Sequence, residues 1–153
     1  IKYSNLLKVL NLNILSQIEI NKKIIPLMKK RKKGIIIHIS SIAGFEAVGS
    51  VAYNISKAAL NAYVRTMGRQ VAKFGIVLTG IAPGGFIAND NAMHRLKNKN
   101  KKIYNQFIYK RLPRNKMGNV KEILPLISFL GSDNSGMMSG CIAPIDGGEG
   151  KFY

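Results

Sequence analysis

Two short runs of mostly β-branched residues, Ile35-Ile36-Ile37-His38-Ile39 and Ile76 to Ile81, stand on either side of one long alanine-rich helical stretch, Ala52 to Phe74. Runs of this kind suit strands buried on both faces. Two buried strands joined by a helix lie parallel, with a right-handed crossover. This pattern selects an α/β fold before any side-chain chemistry is considered.

The flanking sequence extends the alternation. Leu6, Leu7, Val9, Leu10, Ile14, Leu15, Ile18 and Ile25 recur at helical spacing, giving a first helix over about residues 6 to 30. It ends in the basic run Lys29 to Lys33 followed by Gly34, and both cations and glycine suit a helix C-terminus. Gly75 stops the second helix, and Pro83-Gly84-Gly85 breaks the second strand. Residues 86 to 117 lack a clean period and cluster Asn, Lys and Arg, which predicts a lid-like insertion with helical pieces. Asn119 and Glu122 have capping-box spacing ahead of an apolar face of Val120, Ile123, Leu124, Ile127 and Leu130. Gly131 stops that helix, Cys141 to Ile145 forms a third strand, and Asp146-Gly147-Gly148 turns the chain away. The expected fold is α/β, a parallel sheet of three strands with flanking helices. Three strands make a small α/β domain, and the chain opens on Ile1 inside a helical pattern with no initiator Met or signal-peptide profile. Residues 1–153 are therefore expected to be a piece of something longer.

Composition narrows the function classes. At 46% hydrophobic and 20% charged, the chain suits a folded domain. Cys141 is the single cysteine and is expected to be a small core residue; with no zinc-ligand spacing elsewhere, a reducing, cytoplasmic setting without a metal is the default. No apolar run approaches the roughly 20 residues of a membrane helix. The formal charge of +17 raises the question of nucleic acid. The basic clusters Lys29–Lys33, Arg95–Lys102 and Lys110–Lys116 do not alternate with aromatics as a base-stacking surface would, so nucleic acid is not expected. They read as solvated surface, with attraction of an anionic substrate by the lid as the sharper alternative.

In a parallel α/β sheet the ligand sits beyond the carboxyl ends of the strands, where Ser40, Ser41, Pro83, Gly84 and Gly85 stand. Tyr53 and Lys57, at i and i+4, project from one face near the start of the following helix. An ammonium beside a phenol favours the phenolate and makes the hydroxyl a usable proton donor and acceptor. A serine hydroxyl beside that pair can stabilise charge developing on a carbonyl oxygen. The spacing alone carries no weight in a chain with 6 tyrosines; its placement after the serine-ended strand does. His38, His94, Met137 and Met138 are expected to be packing or lid residues, and Gly147, Gly148 and Gly150 turn residues.

In four pieces, Ile-Ser-Ser-Ile-Ala-Gly at 39–44, Tyr53-Asn-Ile-Ser-Lys57-Ala-Ala-Leu, Ala-Pro-Gly at 82–84 and Ile145-Asp-Gly-Gly, the chain resembles the C-terminal, catalytic half of the short-chain dehydrogenase/reductase family. The resemblance implies that Tyr53 is the acid/base, Lys57 binds the nicotinamide ribose and lowers the tyrosine pKa, and Ser41 orients the substrate carbonyl. It implies that Asn13 holds a water of the proton relay, with Asn11 the weaker match. The backbone of Pro83, Gly84, Gly85 and Phe86 would meet the nicotinamide of NAD or NADP. Hydride transfer between the cofactor and a carbonyl or secondary alcohol would follow, in a homodimer or homotetramer packed through helices 6–30 and 52–74. The wording of lid and tail resembles sugar- and nucleotide-sugar-modifying members. 3-Oxoacyl-carrier-protein reductases share the core motifs and form the alternative, since a basic end to the first helix suits an acidic carrier protein. Thr79 and His38 stand where many relatives have asparagine. No Gly-x-x-x-Gly-x-Gly turn occurs: Gly136-x-x-x-Gly140 continues to Ile142, and Gly80-x-x-x-Gly84 to Phe86. About half of the cofactor site is thus expected to lie outside this chain, and residues 1–153 to be the C-terminal part of one longer domain with a partial, Rossmann-like sheet. By itself the chain is expected to be inactive and to lack tight NAD(P)H binding, and a non-catalytic remnant is the other reading.

Overall fold

The computed structural model describes residues 1–152. Helix α1 (Tyr3–Leu10) runs through a π-helical turn (Asn11–Leu15) into α2 (Ser16–Arg31). The helix closes on Lys32 in the left-handed region (φ 51°), with the Lys33 N–H bonded back to Met28 O at 3.3 Å. Gly34 is therefore not the stop that the sequence predicted. It opens strand β1 (Gly34–Ile39), and the Met28 side chain lies where its Cβ would be.

Helix α3 (Val51–Val71) continues through a 3₁₀ turn to Gly75, whose φ of 71° ends it in the left-handed region. Strand β2 (Ile76–Pro83) then pairs in parallel with β1, from Gly34↔Ile76 to Ile39↔Ile81, and with the last strand, β5 (Ile142–Ile145), from Gly80↔Ile142 to Pro83↔Ile145. The sheet order is β1-β2-β5, and the architecture is Rossmann-like α/β. Ile14, Ile25, Leu60, Val64 and Val71 from the helices pack with Ile36, Ile76 and Leu78 on one face. On the other, Ile123 and Leu130 of α6 (Val120–Leu130) pack on Ile81.

Strand β2 is buried at every position except Val77, which is half-buried. In β1, Ile36 and His38 are buried but Ile39 is 48% exposed, because β1 has a neighbour on one side only. The expectation of two doubly buried strands thus holds for one of them.

Between β2 and α6, strand β3 (Phe86–Ile87) pairs in parallel with β4 (Gly118–Asn119), and this short ladder forms the stem of an excursion built from α4 (Ala92–Lys99) and α5 (Lys101–Arg111). Its asparagines have a local purpose. Asn91 and Asn100 cap the two helices by accepting from His94 N–H (2.8 Å) and Ile103 N–H (3.0 Å). The predicted capping box is present at α6, with the Asn119 N–H donating to Glu122 Oε2 at 2.8 Å. Two expectations fail. Cys141 precedes β5 and is half-buried rather than part of the core, and Met137, expected to be a packing or lid contact, is 98% exposed while Met138 packs against the α6 side of the sheet. No helix of the described residues is long and apolar enough to cross a membrane.

Candidate active site

Strand β1 delivers two serines to its carboxyl end with different duties. Ser40 is buried, and its hydroxyl donates to Asn61 Oδ1 at 2.5 Å, so it ties the strand to α3. Ser41 is half-buried in extended backbone, and its Oγ accepts from Ala43 N–H at 3.1 Å, capping the 3₁₀ turn Ile42–Gly44. That contact uses a lone pair; the hydroxyl proton remains available to a carbonyl oxygen.

Ser50 caps α3, accepting the Tyr53 N–H at 3.3 Å, and places Tyr53 in the first turn with Lys57 one turn on. Asn54 fastens the preceding loop, accepting from Gly49 N–H at 2.9 Å and donating to Glu46 O. The Lys57 side chain reaches back across the helix–strand junction. Its Nζ donates to Ile39 O at 2.8 Å and lies 5.6 Å from the Tyr53 ring centroid. Lys57 is buried, and burial pushes its pKa below the usual lysine value. No carboxylate pairs with it among the described residues. An ammonium carries three donors, and one is spent on Ile39 O.

Asn13 sits in the π-helical turn, half-buried, with Nδ2 donating to Val9 O at 3.2 Å. Turns of this kind are frequent at functional sites because they displace the helix register locally. The turn packs along α3, although none of the hydrogen bonds of Asn13 reaches Tyr53 or Lys57. Asn11 opens the same turn and is exposed.

The turn after β2 approaches from the neighbouring strand end. Pro83 is buried, and the Gly84 N–H donates to Ile145 O at 3.2 Å. Gly85 donates its N–H to Glu149 Oε2 at 2.6 Å and accepts the Gly118 N–H at 3.0 Å. Phe86 O accepts from Asn91 Nδ2 at 2.8 Å. The structure thus brings Ser41, Tyr53 and Lys57 to one sheet end, Asn13 to the adjoining helix, and Pro83–Phe86 to the next strand end.

Three features escaped the sequence reading. Asn61, one turn beyond Lys57, anchors Ser40. Asn21 Nδ2 lies 2.8 Å from His38 Nε2 and 3.0 Å from Tyr63 Oη, with the His38 ring edge-on to Tyr63 at 5.8 Å. Burial, and secondarily the Lys57 charge, push the His38 pKa down. The third is Glu149. Helical spacing from Lys57 would have marked Asn61; nothing local marks the other two.

The sequence matches the family described as Enoyl-(Acyl carrier protein) reductase over residues 1–149. It is 30% identical over 148 residues to the 3-oxoacyl-acyl-carrier-protein reductase MabA of Mycobacterium avium, covering 95% of this chain and 55% of the relative. A 7alpha-hydroxysteroid dehydrogenase of Paraclostridium sordellii is 31% identical, with 92% and 52% covered. The chain therefore spans about half the length of these relatives. Among solved structures, a gluconate 5-dehydrogenase from Burkholderia cenocepacia in complex with NADP and tartrate superposes with a TM-score of 0.87 at 25% identity, over 97% of this chain and 57% of that one. L-sorbose reductase from Gluconobacter frateurii, complexed with NADPH and L-sorbose, gives 0.87 at 22% identity over 97% and 59%, a likeness of fold.

Proposed function

The chain belongs to the short-chain dehydrogenase/reductase family, and from that premise we propose that the protein containing it is an NAD(P)-dependent oxidoreductase acting on a carbonyl or secondary alcohol. The observation that carries the proposal is the buried, carboxylate-free Lys57, held against the end of β1 beside Tyr53. When bound, NAD(P)(H) supplies or accepts the hydride. The two free donors of Lys57 fit ribose hydroxyls, and its charge stabilises negative charge on the Tyr53 oxygen. Tyr53 gives its proton to the carbonyl oxygen during reduction and takes it back during oxidation. Ser41 donates a hydrogen bond to the same oxygen, and Asn13 positions the water that passes a proton from solvent to Tyr53 during reduction and back to solvent during oxidation. Of the amides in the turn, those of Gly84 and Gly85 are committed inside the fold, which leaves the Phe86 N–H for the nicotinamide.

The same reading makes residues 1–153 the C-terminal part of one domain with a lid-like insertion over 86–117, as the β3–β4 stem supports. Exposed Leu7, Leu12, Leu15, Leu27 and Ile55 on α1–α3 and the π turn between them support a homodimer or homotetramer through these helices. The lone, unpaired cysteine supports a cytoplasmic setting. The substrate is a sugar or nucleotide-linked sugar, drawn in by the cations of the 86–117 segment when it is anionic. The likeness to MabA favours a second reading, reduction of a 3-oxoacyl carrier thioester.

The test is NADH- and NADPH-dependent turnover on a ketose, a nucleotide-linked ketosugar and a 3-oxoacyl thioester. Tyr53→Phe is expected to lower turnover about 10²- to 10⁴-fold, with cofactor affinity unchanged in a fluorescence titration. Wild-type rates in that variant would refute the proton-transfer role.

A further inference from the structure

In a chain with 24 basic and 7 acidic residues, Glu149 is the one carboxylate buried among the described residues, at 5% exposure. The preceding residues aim it there. Gly147 and Gly148 stand at φ 64° and 84°, and the Asp146 carboxylate accepts the N–H groups of Gly148 (3.0 Å) and Gly150 (2.9 Å). The chain reverses on itself, and the Glu149 side chain passes beneath the Pro83–Phe86 turn.

There its two oxygens divide their work. Oε2 accepts the Gly85 N–H at 2.6 Å, and Oε1 accepts from Arg111 Nε at 3.2 Å, at the end of α5. A Cβ on Gly84 would stand 2.8 Å from Oε2, and one on Gly85 3.3 Å away, so two successive glycines let the carboxylate lie against the backbone. One helical turn before Arg111, Phe107 faces the same place, with Cε1 3.1 Å from the Cβ position of Gly85. Both contacts are charge-assisted and fall on a buried carboxylate, although the Arg111 side chain is one-third exposed; such bonds are shorter and stronger than neutral ones.

We propose that Glu149 is a positioning residue: it fixes the backbone turn on the nicotinamide side and locks the end of the 86–117 segment to it, so that the cofactor-facing turn and the substrate-facing segment hold one relative geometry. The inference rests on the oxidoreductase reading for its catalytic consequence; the brace itself does not.

Two measurements separate these parts. In the wild-type protein, selectively ¹⁵N-glycine labelled, the Gly85 amide is expected far downfield and slow to exchange, as for an N–H bonded to a carboxylate. In Glu149→Gln, which sets an NH₂ against either the Gly85 N–H or the guanidinium, it is expected to move upfield and exchange about tenfold faster. A Gly85 amide that exchanges freely in the wild type overturns the brace, and this arm needs no variant to fold. In the active protein, Glu149→Gln is expected to lower kcat about tenfold or more, to raise the primary isotope effect for a 4-deuterated cofactor, and to leave the carbonyl-substrate KM within about threefold. A purely structural role would lower the active fraction and leave the isotope effect alone. Unchanged kcat and isotope effect beside a displaced Gly85 amide overturn the positioning role. A displaced amide in a protein whose wild type shows no NAD(P)-dependent turnover overturns the oxidoreductase reading and leaves the brace standing.

Discussion

Replacing Lys57 by Met is expected to separate activity from stability. Two terms oppose each other in the folded state. The charge-assisted bond to Ile39 O, 2.8 Å long, contributes about 1.5–3 kcal/mol. Against it stands the cost of keeping an ammonium out of water without a carboxylate, which is of order several kcal/mol for a fully buried ion. The Met side chain fills the same channel without that cost. Unfolding free energy at pH 7 is therefore expected to stay within about 2 kcal/mol of wild type, while turnover falls about 10²- to 10³-fold. Linkage sharpens the test. Burial lowers the folded-state pKa of Lys57, so its contribution is complete above the unfolded value of 10.5 and is lost as pH falls towards the folded value. Wild type should gain on Lys57→Met as pH rises towards 10.5 in paired urea titrations. A variant destabilised by more than about 3 kcal/mol at pH 7 would refute the reasoning, as would a gap that ignores pH.

Three further outcomes follow from the packing. His38 is buried and its pKa is lowered first by burial, so its contribution is intact above about pH 6.5 and is lost below it. Urea stability should fall by up to about 1.4 kcal/mol per pH unit from this group, and a His38→Asn variant with an unaltered slope would exclude it as the source. In Gly44→Ala the new Cβ would meet Lys57 O at 2.9 Å and Asn61 Cγ at 3.0 Å, and the helix backbone cannot yield. A loss of about 1–3 kcal/mol is expected, and an unchanged melting temperature would mean that the turn relaxes freely. Leu78 is fully buried in β2, so Leu78→Ala should cost about 2–5 kcal/mol; a loss under 1 kcal/mol in urea would argue against the helix-covered core.

Much of the site was readable because its parts are local. Tyr53 and Lys57 share a helix face through spacing alone, Ser41 ends a β-branched run, and the capping box at Asn119 is complete within four residues. The π turn under Asn13 was not readable, since one displaced residue barely disturbs a hydrophobic period. Ser40 is legible as the structural neighbour of Ser41, but its partner Asn61, 21 residues away, is not. The left-handed Lys32 shows the limit of residue preference: Gly34, the better candidate, was already needed beneath Met28.

Sequence by itself determined the element order, the parallel connection of the strands and the helix face carrying Tyr53 and Lys57, because hydrophobic period, caps and turn residues act within a few positions along the chain. Only the tertiary structure decided which strand is buried on both faces, that Lys57 is held on Ile39, and that Glu149 closes on Gly85, 64 residues away. These depend on which backbone groups and charges meet once the sheet is assembled, and a lone carboxylate carries no sign in the sequence of the amide it will find.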